Sequence, residues 1–214
     1  MTTAFKESVR SRFLCTGRSP QAIIFLIEDS RNMAGARMQK VHEAIHETVM
    51  YLQASNCGVN KTRYLVSVIR FGDSAENIAG PCKPEDLNSS AICAMLPSSD
   101  GKAELAEGLR MAKKDLEVSL RTIAADAMVE PKLCPGPLVL VITSGIYTGG
   151  SPLLASRQLS DVTTPNEPVS VIVMAAGAPQ GTESDMMRCA SRTELFMQLC
   201  PEDIPSFFAE PPMS

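Results

Sequence analysis

Residues 21–33 read Gln-Ala-Ile-Ile-Phe-Leu-Ile-Glu-Asp-Ser-Arg-Asn-Met. The run from Ala22 to Ile27 is apolar throughout. That pattern suits a strand buried on both faces, as in a parallel sheet. Parallel neighbours need long crossover connections, usually helices. Glu28, Asp29, Ser30 and Asn32 then cluster where the strand ends. Open α/β sheets bind their ligands outside the carboxyl ends of the strands. This one stretch therefore constrains the architecture and also places a candidate site at residues 28–32.

The rest of the chain repeats the alternation. Met38, Val41, Ile45, Val49 and Leu52 recur at helical spacing, which predicts a helix over 36–53. Residues 56–60 are expected to form a turn, with Gly58 closing that helix. A second strand is expected over 64–71 and a short antiparallel edge strand over 76–80. Residues 91–96 are expected to form a helical turn. Leu105, Leu109, Ala112, Leu116, Leu120, Ile123 and Ala127 trace the buried stripe of the longest helix, 104–128. Core strands follow at 138–143 and 169–175, with helices at about 152–159 and 182–190. A last strand at 194–199 and a last helix at 202–209 close the pattern. Strands alternating with helices predict a three-layer, doubly wound α/β fold with a mostly parallel sheet. The expected organisation is an arm at 1–20, one domain at 21–209 and a tail at 210–214.

Composition narrows the function. The net charge is −4 and the isoelectric point near 5.3, with no basic run, so nucleic acid is not an expected partner. Apolar runs are strand-sized and fall short of the ~20 residues of a membrane helix. Residues 1–20 contain no apolar stretch of the secretory kind. The seven cysteines include no Cys-x-x-Cys pair. They read as reduced, mostly buried thiols, and the expected location is cytoplasmic.

Phe25-Leu-Ile-Glu-Asp-Ser-Arg-Asn-Met-Ala-Gly35 resembles the first motif of the von Willebrand factor type A (VWA) domain, a strand ending in Asp-x-Ser-x-Ser-Met. Ile69-Arg-Phe-Gly-Asp-Ser-Ala75 resembles the family's second strand and turn. Gly101-Lys-Ala-Glu-Leu-Ala-Glu-Gly-Leu109 resembles the segment that opens its long helix. Leu140-Val-Ile-Thr-Ser-Gly145 resembles its Leu-Leu-Thr-Asp-Gly strand end. Residues 192–208 resemble the closing strand and helix of intracellular bacterial members, including those associated with tellurium resistance. The resemblance implies a metal-ion-dependent adhesion site for Mg2+ or Mn2+, completed by a partner's carboxylate.

The residues at the implied ligand positions depart from that pattern. Glu28 stands at the first Asp, unless Asp29 shifts in by one register. Ser30 matches the first Ser and Asn32 replaces the second. Ala103 stands at the Thr and Ser144 at the second Asp. Mg2+ demands near-octahedral oxygen ligands at about 2.0–2.1 Å. No conventional metal site and no cofactor is therefore expected. Were an ion bound, Glu28, Ser30 and Asn32 would hold it, with Asp73 or Asp100 as compensating carboxylates. Arg31 and Lys102 bring positive charge to the place the ion would have brought it.

His42-Glu-Ala-Ile-His46 matches His-Glu-x-x-His, in which two histidines one turn apart hold zinc and the glutamate acts as general base. No third ligand segment is evident, and the two histidines are expected on a solvated or half-buried helix flank. The reading is thus a non-enzymatic interaction module. It binds another protein through an acidic or polar group at the loops 28–35, 72–74, 98–103 and 144–151. The contact set is Glu28, Asp29, Ser30, Arg31, Asn32, Asp73, Lys102 and Ser144. The alternatives are metal-dependent partner binding through altered Mg or Mn ligands, a zinc hydrolase using His42, Glu43 and His46, and a small-molecule or nucleotide binder at the same crevice.

Overall fold

Strand β1 (Gln21–Glu28) is buried along its whole length, as its apolar run requires. The computed structural model describes residues 19–55, 64–96, 101–126, 129–130, 134–176 and 183–198. After β1, a 3-10 turn at Arg31–Met33 leads into α1 (Ala36–Ser55). Strands β2 (Tyr64–Phe71) and β3 (Ala75–Cys82) follow, then the short α2 (Ser89–Ala94) and the long α3 (Leu105–Ala125). Then come β4 (Leu138–Thr143), α4 (Leu153–Ser160), β5 (Ser170–Ala175), α5 (Glu183–Cys189) and β6 (Phe196–Gln198). The arm to residue 18, the turn at 56–60 and the helix at 202–209 lie outside the described residues, as does the tail.

The strands form one sheet in the order β3-β2-β1-β4-β5-β6. All neighbours are parallel except β2 and β3. β1 lies between β2 and β4, which explains why it shows no polar alternation. Helices cover both faces. Ile45, Thr48 and Val49 of α1 meet Phe25, Ile27, Val68 and Ile142 on one side. On the other, α3 comes so close at Gly108 that an added Cβ would lie 3.0 Å from the Phe71 ring and 3.1 Å from Leu26 Cδ1. Alternate residues of β1 thus serve opposite layers.

Two boundaries differ from expectation. β3 continues past Gly80 and Pro81 to Cys82, although these residues read as terminators. It is an edge strand, where a missing amide donor breaks no outer ladder bond. Its pairing with β2 shifts register between Val66 and Ile69. The buried stripe of α3 also includes Asp115 and Ser119, which hydrophobic periodicity alone does not reveal. The last strand is preceded by a 3-10 turn at Thr193–Leu195, where a strand from 194 was expected.

Candidate functional site

At the carboxyl end of the sheet, backbone hydrogen bonds lace four loops into one crest. Asp29 N–H donates to Phe71 O at 2.7 Å, joining the ends of β1 and β2. Arg31 N–H donates to Gly101 O at 3.4 Å, and Glu104 N–H to Gly72 O at 2.9 Å. Thr148 N–H donates to Ala103 O at 2.9 Å. Asp73 Oδ1 accepts the Lys102 N–H at 2.8 Å. The expected loops do converge, over the residues described.

The floor of the crest is a closed polar cluster. Glu28 is 0% exposed. Its Oε2 accepts the Thr143 hydroxyl at 2.6 Å, the Ser144 N–H at 2.7 Å and, more distantly, the Ser144 hydroxyl at 3.1 Å. Its Oε1 accepts the Ser144 hydroxyl at 2.9 Å and the Ser30 hydroxyl. The hydroxyls are themselves acceptors. Asn32 N–H donates to Ser30 Oγ at 3.2 Å, Gly145 N–H to Thr143 Oγ1 at 3.1 Å and Ile146 N–H to Ser144 Oγ at 3.2 Å. Each turn after a strand end is thereby capped by a side chain that also faces the carboxylate. Sequence reasoning missed Thr143, whose only signal is a hydroxyl at the end of an otherwise apolar strand.

This donor set does not fit a divalent cation. A cation needs oxygen lone pairs aimed at a common centre. Here both carboxylate oxygens are taken by hydroxyl and amide hydrogens. Ala103 offers only its backbone oxygen, which accepts the Thr148 and Leu105 amides. Asp73 is exposed and turned to the Lys102 amide. Asp100 lies outside the described residues.

Burial divides the expected contact residues. Glu28, Asp29, Ser30 and Ser144 are buried, so in this arrangement they support the crest and do not present themselves to a partner. Asp29 points away from Glu28, with Oδ2 3.7 Å from Arg70 Nη1. Arg70 also binds Glu76 at 2.7 Å and donates to Met95 O at 3.0 Å, so it ties β1, β2, β3 and the end of α2 together. Arg31, Asp73 and Lys102 are exposed and Asn32 is half-buried. Neither the Arg31 nor the Lys102 side chain makes an ion pair among the described residues.

The loop after β4 is fastened from two sides. Gly149 has φ +81° and lies against Glu104, whose Oε2 would be 2.0 Å from an added Cβ. The Tyr147 hydroxyl donates to Asp185 Oδ2 of α5 at 2.6 Å. That bond, with burial and the carboxylate's charge behind it, pushes the phenol up to about 12.

The two histidines do not converge. His42 Nε2 donates to Leu96 O at 3.0 Å, and His46 Nδ1 is 2.8 Å from Ser89 Oγ. His42 is half-buried and His46 exposed, within the solvated or half-buried flank that was expected. Glu43 is paired with Lys40 at 2.7 Å, and that bond holds its carboxyl below the ordinary value. Among the described residues, no group of three His, Cys, Asp or Glu could hold a metal ion.

No family model matches the sequence, and no curated protein matches it. Solved structures do match. Proximal thread matrix protein 1 of the mussel byssus is similar at a TM-score of 0.65 and 18% identity, over 89% of this chain and 46% of that one. The pilus adhesin SpaC of Lactobacillus rhamnosus GG is similar at 0.68 and 11%, over 92% and 30%. This chain therefore spans less than half the length of either. The vWF domain of the type V pili tip protein Mfa5 from Porphyromonas gingivalis is similar at 0.58 and 10%, over 89% of this chain and 93% of that domain's. With its central parallel strands, antiparallel edge and two helical layers, the chain has the fold of a von Willebrand factor type A domain.

Proposed function

We propose that this chain is a non-catalytic protein-interaction module that grips an acidic group of its partner with Arg31 and Lys102, without a divalent ion. The observation that carries this reading is the pairing of two exposed cations on adjacent loops, joined through the Arg31 N–H to Gly101 O bond. Neither has an internal counter-ion among the described residues, and both stand over a floor whose own charge is enclosed. Exposed cations with free donors favour carboxylates, and Arg offers them a planar fork. Asn32 and Asp73 complete a polar rim. Glu28, Asp29, Ser30 and Ser144 act as scaffold.

Two comparison proteins, a pilus adhesin and a pilus tip protein, support a binding role over a catalytic one. Among the described residues no helix is long and apolar enough to cross a membrane. Cys82, Cys93 and Cys189 form no disulfide among the described residues, in keeping with a reducing, cytoplasmic setting. The experiment is photo-crosslinking from position 102, with position 50 on α1 as control, followed by binding of the captured protein. The Arg31→Glu/Lys102→Glu variant should weaken binding at least about tenfold, or ~1.4 kcal/mol, and chelator should leave it unchanged. Unchanged binding in the double variant would sink the charge reading. Loss of binding in chelator would favour the metal-dependent alternative.

A further inference from the structure

We infer that the Glu28 carboxylate is itself the bridging group of the crest, fastening β1 to β4 at the place where the family resemblance implies a divalent cation. Register explains the reach. Ile27 pairs with Ile142, which brings Glu28 alongside Thr143, one strand away. Neighbouring strands are about 4.8 Å apart. A glutamate is long enough to set its carboxylate beneath Thr143 and Ser144 and still receive the Ser30 hydroxyl from its own loop. The result is one carboxylate with two donors from residue 144, one from 143 and one from 30.

Three features distinguish this from a metal ligand waiting for its ion. Glu28 is 0% exposed, as are Ser30 and Ser144, so the cluster has no open face. The three hydroxyls each donate to the carboxylate while accepting a backbone amide, so their orientation is set by both partners. Ala103, on the loop that packs across the crest, supplies no side-chain oxygen. A metal-ion shell joins strand ends by drawing oxygens to a positive centre. Here a negative centre draws hydroxyls and an amide, and the same strand ends are joined.

The substitutions read together as one change. Glu at 28 extends the carboxylate, and Ser at 144 replaces what would be a second, repelling carboxylate with a donor. Thr143, which matches the Thr of the Leu-Leu-Thr-Asp-Gly pattern, adds its hydroxyl to those of Ser30 and Ser144. With a carboxylate at 144, two anions would face each other in a buried space with nothing between them. The crest therefore keeps its shape without an ion.

Thermal melting of the purified full chain, in chelator and in millimolar Mn2+ or Mg2+, tests the inference without any partner. Its failure and the failure of the interaction reading are thus separate results. The wild type should melt at the same temperature in all three conditions. Glu28→Asp withdraws the carboxylate by about 1.5 Å and strands the Thr143 and Ser144 donors, so its Tm should fall by roughly 5 °C or more. Glu28→Gln keeps the length and one acceptor oxygen but sets an amide NH2 against hydroxyls that had donated there, so its Tm should fall by less than that of Glu28→Asp. A wild-type Tm that rises in Mn2+ and loses that rise in Glu28→Gln would make Glu28 an ion ligand and overturn the inference. A Glu28→Asp protein as stable as wild type would overturn it too, because the bridge would then hold nothing.

Discussion

Glu28 and Ser144, 116 residues apart in sequence, meet at the end of the sheet through both the backbone and the side chain of Ser144. The amide bond is 2.7 Å and the hydroxyl bond 2.9 Å. The hydroxyl also accepts the Ile146 amide, so Ser144 starts the loop that carries Tyr147 and Gly149. Ser144→Ala keeps the amide bond but leaves Ile146 N–H and one side of the carboxylate short of a partner. Losing a hydrogen bond to a buried charged group costs about 1.5–3 kcal/mol. Urea unfolding should show that loss with an unchanged m-value; a loss under about 0.5 kcal/mol would mean water replaces the hydroxyl.

The loop's second anchor gives a paired prediction. Gly149 has φ +81° and Glu104 lies where its Cβ would go, whereas nothing lies within 4 Å of a Cβ at Gly150. Gly149→Ala combines left-handed strain with a displaced carboxylate, and should cost about 1–2 kcal/mol. Gly150→Ala should change stability by no more than about 0.5 kcal/mol. Equal effects at the two positions, measured by the same denaturant series, would contradict the packing described for Glu104.

Surface charge separates binding from folding. Arg31 and Lys102 are exposed and unpaired among the described residues, so reversing both should shift stability by about 0.5 kcal/mol or less. Binding of the crosslinked partner should weaken and lose most of its salt sensitivity, because exposed attraction is screened over about 8–10 Å at moderate ionic strength. A folded double variant whose binding still falls steeply with salt would place the electrostatic contact elsewhere.

Much of the fold is legible because β1, β4 and β5 are apolar runs bounded by polar or loop residues, and α1 and α3 carry helical stripes. β4 falls at 138–143 as the run Leu-Val-Leu-Val-Ile-Thr suggests. The site is less legible, because its chemistry depends on register. A strand slip of one residue sends a side chain to the opposite face. Sequence alone leaves Glu28 and Asp29 as rivals for one position. The structure gives them different tasks, Glu28 toward β4 and Asp29 toward Arg70. Arg70 and Asp185 carry no local signal at all, since their partners come from distant elements.

Asp115 supplies a pH test away from the crest. It sits in the buried stripe of α3, and Asn77 Nδ2 of the edge strand donates to it at 2.5 Å. Burial pushes its carboxyl above the ordinary value of 3.8, while the Ser67 hydroxyl beside it, the Asn77 amide and Lys114 favour the charged form and only partly offset the rise. The sign follows from linkage. The folded state holds this proton more tightly than the unfolded chain, so Asp115 costs nothing in acid below the unfolded value. Its cost grows as pH rises from there through the raised folded value, and is constant above it. Asp115→Asn removes that cost and keeps an oxygen for Asn77. Relative to wild type, the variant should therefore gain stability between acid and neutral pH. The check is urea unfolding of both proteins from pH 4 upward, expressed as the difference between them. A difference that stays flat across that window would mean the carboxyl is not destabilised by its burial.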